Sequence, residues 1–293
     1  MRNRFIVWGI VTAVAAVAGS ISLLPVAAQA PGGAPAYTPG RTPHGHPDLT
    51  GVWRAWNLAK YDLEAHSARP GVPAGLGFVV DPPDGKIPYQ PWALKQREQN
   101  YLHSRTSDPW ESADPVTKCY IPGIPRLTYL GWPFQIIHED ERVHFAYEWS
   151  HKARVVPVTD VGPLPDPEDP LNQKWSGIPR GRFEGNSLVV DIANFHGYTW
   201  FDMAGNFHSD ALHVVERYTP IGPDTLQYEV TMEDPKVFTQ PWTIRMLLQR
   251  QTDVGLLDYE CTAMLDEQGI HHTWDRDFDE PRDWDVPRPV DGQ

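Results

Sequence analysis

Glu216 is the first residue in this chain that chemistry would single out. In a strand over Ala211–Thr219, Leu212, Val214, Glu216 and Tyr218 share one face, and only Glu216 on that face is charged. A buried carboxylate needs a partner or a proton. Desolvation raises its pKa, which is how a carboxyl is prepared as a general acid or base. The competing reading is a structural glutamate satisfied by Tyr228, an arginine or a water.

Three further groups could act with it. Tyr228 falls on the apolar face of the following strand. Asp202 and His208 lie in a Gly-containing loop, F-D-M-A-G-N-F-H-S, just before the Glu216 strand. A loop at a barrel mouth bearing His and Asp suits acid–base work; a solvated loop with a surface histidine is the plainer alternative. His213 should face away from Glu216. Arg126 follows P-G-I-P, a rigid setting that could hold a guanidinium for a substrate carboxylate or pair with a surface acid. Trp132, Trp149 and Trp242 stand in or beside strand regions. They could line a pocket for an apolar or aromatic ligand, or simply fill a β-core.

The chain carries no G-x-S-x-G, no H-E-x-x-H, no P-loop and no dinucleotide fingerprint. D-R-D-F-D lacks the Gly and closing Glu of a calcium loop. His271 and His272 are at most opportunistic metal ligands. The expectation is therefore a protein without metal or cofactor.

The elements that must position these groups start after an export signal. Arg2 and Arg4 precede an uncharged run over Phe5–Leu24, and cleavage is expected after Ala28 or Ala30. Removing residues 1–28 leaves 265 residues with 23 Lys and Arg against 38 Asp and Glu, a net charge of −15. No basic patch speaks for nucleic acid, and no later segment is apolar enough to span a membrane. The compartment is read as periplasmic or extracellular. There, Cys119 and Cys261 should form a disulfide closing a loop of 142 residues, a cross-link of about 5 kcal/mol in the chain-entropy model.

Residues 29–47 read as a flexible leader, 48–272 as one β-rich domain and 273–293 as an acidic, Pro-containing tail. Of the 30 prolines, 29 follow the signal, which favours strands joined by rigid loops over long helices. Strands are expected over 48–56, 134–138, 143–149, 153–159, two short ones within 182–192, then 211–219, 225–233, 242–251 and 256–264. One helix is expected over 92–104, with Leu94, Glu98 and Leu102 on one face. Such closely spaced strands predict an all-β antiparallel barrel or sandwich with long Pro/Gly-rich loops and one short helix. In the hairpin 211–233, P-I-G-P-D reads as the loop. Matching apolar faces then places Tyr218 opposite Leu226, Glu216 opposite Tyr228 and Val214 opposite Val230.

Two resemblances add to this. D-L-T-G-V-W at 48–53 is similar to the G-x-W opening of lipocalins and related calycin barrels. The chain also resembles a family of secreted bacterial proteins whose function is not established. The matching segments are P-D-L-T-G-V-W (47–53), Y-Q-P-W-A (89–93), C-Y-I-P-G-I-P-R (119–126), G-R-F-E-G-N-S-L-V-V-D (181–191), H-S-D-A-L-H-V-V-E-R-Y (208–218), Y-E-V-T-M-E-D-P (228–235) and P-W-T (241–243). Where that family usually reads Cys-His-Glu, this chain has Cys261-Thr262-Ala263. The resemblance implies fold and secretion, and no activity.

Together these readings favour an exported barrel acting on a small apolar or aromatic molecule by cofactor-free acid–base chemistry. A lyase, hydratase or isomerase would fit, with Glu216 as acid/base assisted by Tyr228, His208 and Asp202. The alternatives are a non-catalytic binder of a hydrophobic ligand and an envelope assembly module without a small ligand. Substrate identity and oligomeric state have no signature in the sequence.

Overall fold

A computed structural model describes residues 37–70, 72–104, 114–259 and 261. The expected signal, residues 29–36 of the leader and the acidic tail lie outside these residues. Among the described residues there are ten strands and two α-helices, besides three short 3-10 turns: β1 (Gly51–Arg54), β2 (Val79–Asp81), α1 (Pro91–His103), α2 (Arg126–Tyr129), β3 (Phe134–His138), β4 (Arg142–Tyr147), β5 (Ala153–Pro157), β6 (Ile178–Glu184), β7 (Ser187–Ala193), β8 (His213–Gly222), β9 (Thr225–Glu233) and β10 (Trp242–Gln251). The fold is all-β and antiparallel, as the strand spacing predicted. The sheet runs β5-β4-β3-β1-β10-β9-β8-β7-β6, with β2 added beside β10. Among the described residues no helix is long and apolar enough to cross a membrane.

The sheet is rolled. β5 and β8 are six strands apart along it, yet Arg154 of β5 is hydrogen-bonded to Glu216 of β8. Phe145 of β4 and Tyr218 of β8 bring their ring centroids to 5.3 Å. The two edge strands meet at Gly181, where a Cβ would lie 2.7 Å from Val156 Cγ1 and 3.3 Å from the Pro157 carbonyl. Only glycine lets β6 come that close. β5 and β6 are not joined by a ladder, so the barrel is incompletely closed.

Strand alternation builds the interior. Val143, Phe145 and Tyr147 on β4, Leu188, Val190 and Ile192 on β7, Leu226, Tyr228, Val230 and Met232 on β9, and Trp242, Ile244, Met246 and Leu248 on β10 are all buried in one core. Each position two residues on returns to the same face.

The register of the β8–β9 hairpin differs from expectation by two residues. Tyr218 pairs with Tyr228, Glu216 with Val230 and Val214 with Met232. The strands run on through Pro220 and Ile221, with a bulge there, and Gly222 faces Thr225 across a two-residue connection, Pro223–Asp224. The longer strands move the turn, and a shift of two keeps every side chain on its expected face. Glu216 therefore stays inside.

Helix α1 sits where expected but turns differently. Leu94 and Leu102 are exposed, and the buried residues are Ala93 and Asn100. The helix docks through polar groups: Asn100 Nδ2 donates to the Gly205 carbonyl at 3.2 Å. Gly205 has φ of +83°, and a Cβ there would stand 2.7 Å from the Arg97 carbonyl oxygen. The strand expected over 256–264 is not formed in its described part; residues 254–259 have no regular structure. Cys119 and Cys261 form the disulfide, with Cα atoms 5.6 Å apart.

Candidate functional site

Glu216 is fully buried and carries three donors. Oε1 accepts from Tyr218 Oη at 2.9 Å and from Tyr228 Oη at 2.5 Å. Oε2 accepts from Nη2 of Arg154. The register explains the tyrosines: Tyr218 lies two residues along the same face of β8, and Tyr228 lies on the diagonal across from Glu216.

Arg154 completes the group from the opposite side of the barrel. In A-R-V-V-P the alternation turns Arg154 and Val156 inward and leaves Ala153 and Val155 exposed. Its side chain is 3 % exposed, and its guanidinium carbon lies 5.0 Å from the Phe145 ring centroid. Burial alone would lower its pKa, but the Glu216 charge overrides that and holds it well above the usual arginine value. Burial, followed by the Glu216 charge, pushes both the Tyr218 and Tyr228 phenols well above their ordinary value, so both remain donors. Tyr147 is raised by burial, with the Arg154 charge opposing. Thr128 of α2 borders the group, its Oγ1 3.4 Å from Tyr147 Oη. The surrounding wall is phenylalanine and tyrosine: Phe134 stands 6.2 Å from Phe145 and 5.2 Å from Tyr147.

The guanidinium is not saturated. Arg154 Nε and Nη1 are buried without a hydrogen-bond partner. Tyr147 neighbours the guanidinium, and both the Arg154 charge and hydrogen bonding from Arg154 oppose the rise in its pKa.

The other nominated residues stand apart from this group. His208 is buried and uses both ring nitrogens locally, Nε2 with Thr199 Oγ1 at 2.6 Å and Nδ1 with the Ser209 carbonyl at 2.8 Å. Nδ1 must donate to that carbonyl, so Nε2 accepts from the threonine. Burial lowers its pKa, which keeps the imidazole neutral. Neither of its partners bonds to Glu216.

Asp202 belongs to a third buried network, under α1. Its Oδ2 accepts from the Leu63 amide at 2.9 Å and from Asn206 Nδ2 at 2.6 Å, and its Oδ1 from the Ala204 amide at 2.9 Å. Asp62, also buried, is held by Arg69 at 2.6 Å and Arg97 at 3.3 Å. Burial first, then the Asp62 charge, raises Asp202 to about 7, against the pull of Asn206, the Leu63 amide and Arg97.

Arg126 is buried too, and its two terminal nitrogens are taken by Asp114 at 2.7 and 2.8 Å. No terminal amine is left for a substrate carboxylate. Trp242 packs edge-on against Phe201 at 5.5 Å and Phe238 at 5.4 Å. Trp132 and Trp149 meet Tyr259 at 4.4 and 4.8 Å, which holds the segment leading to Cys261. Among the described residues none of these three tryptophans is in ring contact with Tyr218 or Tyr228.

The group around Glu216 thus contains two nominated residues, Glu216 and Tyr228, and three that were not nominated: Arg154, Tyr218 and Tyr147. Tyr218 could have been found, because it shares the Glu216 face two residues on. Arg154 could not, because its placement depends on how the sheet rolls. No protein-family model matches the chain, and neither does any curated protein sequence.

Proposed function

We propose that this is an exported β-barrel protein acting on a small apolar or aromatic molecule by cofactor-free proton transfer, of the lyase, hydratase or isomerase type. The observation that carries the reading is the Arg154–Glu216–Tyr218–Tyr228 group, a polar cluster enclosed by aromatic and aliphatic side chains. Such a mixture of an apolar wall with a few convergent polar groups is what small-molecule sites are made of. Glu216 serves as the base, the two phenols stay protonated, and Arg154 supplies positive charge where an anion develops. Export is supported by the charged-then-apolar N-terminus and by the disulfide.

A second reading, a non-catalytic binder, is favoured by one detail. Both Glu216 oxygens are already occupied, which anchors the carboxylate as a fixed wall group. The variant Glu216→Gln separates the two. The tyrosine hydroxyls can turn to accept from the new amide while its oxygen faces Arg154. Wild type and variant, both verified as folded by circular dichroism, are incubated with a mixture of aromatic and alicyclic metabolites and followed by mass spectrometry. A compound consumed by wild type and spared by the variant is the expected result. Identical consumption profiles sink the catalytic role.

A further inference from the structure

We infer that the molecule held at this site presents a neutral carbonyl oxygen to Arg154, and that the carbon acted on is the one next to that carbonyl. The inference rests on the reading of the Glu216 group as a ligand site.

The first observation is the unmet guanidinium. A guanidinium carries five N–H donors. Arg154 uses Nη2 on Glu216, while Nε and Nη1 bond to nothing although the residue is 4 % exposed. Buried donors in native proteins are satisfied by protein, water or ligand. Tyr147 is the protein acceptor beside the guanidinium, but it makes no bond of full hydrogen-bond geometry with Nε or Nη1, and an oxygen acceptor is the partner these donors would take.

Charge decides which oxygen. Arg154 and Glu216 cancel one another. A carboxylate or phosphate placed on the open nitrogens would add a negative charge that no further cation answers among the side chains bonded to this group. Stranding a charge in an apolar interior is costly. A ketone, aldehyde or ester oxygen accepts the same N–H groups without that cost. The remaining walls, Phe134, Phe145 and Tyr147, suit an apolar or aromatic body.

The chemistry follows from the adjacency. A carboxylate base and a carbonyl-polarising donor are fixed to one another through Nη2. Glu216 removes a proton from the carbon beside the carbonyl. The C–H electron pair becomes the C=C bond of an enolate, whose oxygen charge is held by Nε–H or Nη1–H. Where the enolate is conjugated to a further C=C, return of that proton from Glu216 to the far carbon of the dienolate re-forms the C=O and gives an isomer. Departure of a β-substituent with its electron pair gives elimination. No oxidant, reductant or metal is needed for the balance.

The test uses phenylacetone, its deoxygenated analogue propylbenzene and the anion phenylacetate, with binding read by tryptophan fluorescence. Wild type is expected to prefer phenylacetone over both others by on the order of a hundredfold. Arg154→Lys keeps a cation for Glu216 and removes the open guanidinium donors, so the preference should collapse to within a few-fold. If that variant is unfolded, the neutral double variant R154M/E216M replaces it. Equal affinity for the three probes, no binding of phenylacetone, or a preference that survives in the variants overturns the inference. An ordered water on Arg154 would give one of those outcomes. Exchange of the phenylacetone α-protons in D2O, followed by NMR, reports separately on catalysis. Oxygen-selective, Arg154-dependent binding without Glu216-dependent exchange would fail the proposed catalytic function and leave the ligand class standing. Exchange without oxygen selectivity would do the reverse.

Discussion

Arg126 and Arg154 are both buried in this protein and both face a carboxylate, but one pair is closed and the other is open. Arg126 meets Asp114 through two parallel bonds at 2.7 and 2.8 Å, which uses both terminal nitrogens and leaves only Nε bare. Arg154 gives Glu216 one nitrogen and keeps Nε and Nη1 bare, while Glu216 fills its second oxygen with two phenols. Asp114 caps the short turn after it, accepting from the Val116 amide at 3.0 Å, so the Arg126 pair locks a loop. The Arg154 pair bridges two strands across the barrel interior instead. The same two chemical groups are thus joined by two bonds in one place and by one bond in the other. Bidentate closure, rather than burial, tells them apart.

Breaking either pair by one partner should have the largest effect. Arg126→Met and Arg154→Met each strand a buried carboxylate and should cost about 3–5 kcal/mol in urea unfolding. The neutral double variants discriminate. R154M/E216M should recover most of the loss, because the interior around it is apolar. R126M/D114L should recover less, because Asp114 also holds the Val116 backbone amide. Equal recovery in the two would erase the distinction. A smaller step is expected for Tyr228→Phe, which removes the 2.5 Å donor from Glu216 and should cost about 1.5–3 kcal/mol. The smallest effect sits on the outer face of β8, where it meets β7. His213 and Asp191 are 3.0 Å apart and more than a third exposed. The bond to Asp191 raises the His213 pKa above 6.5, so its contribution is present below that value and is lost as pH rises through the folded one. Asp191→Asn should therefore cost less than about 1 kcal/mol, and more at acid than at alkaline pH. A larger loss at alkaline pH would show that the pair acts through something other than its charge.

The sequence made half of the open pair readable. Alternation in H-V-V-E-R-Y places Glu216 on the buried face whatever the register, so even a turn misplaced by two residues left it inside. The partner was invisible because A-R-V-V-P is a short edge strand that gives no sign of which far strand it will face. Helix α1 misled for a related reason. Its leucine spacing suggested an apolar contact face, but tertiary docking through Arg97 and Asn100 took precedence. His208 and Asp202 are near Glu216 in sequence, and chain proximity does not say whether a loop folds over a strand's end or away from it.

The position of β1 bears on how such a barrel is made. Its partners are β3 on one side and β10 on the other, with Val52 facing Gln251 near the far end of the chain. The first of the described strands to leave the ribosome therefore has half of its ladder vacant until the last of them, β10, arrives. Until then the other edge of β1 is an exposed template for any passing strand. The protein's most vulnerable moment is thus set by chain order rather than by stability. It lasts as long as about 200 residues take to follow.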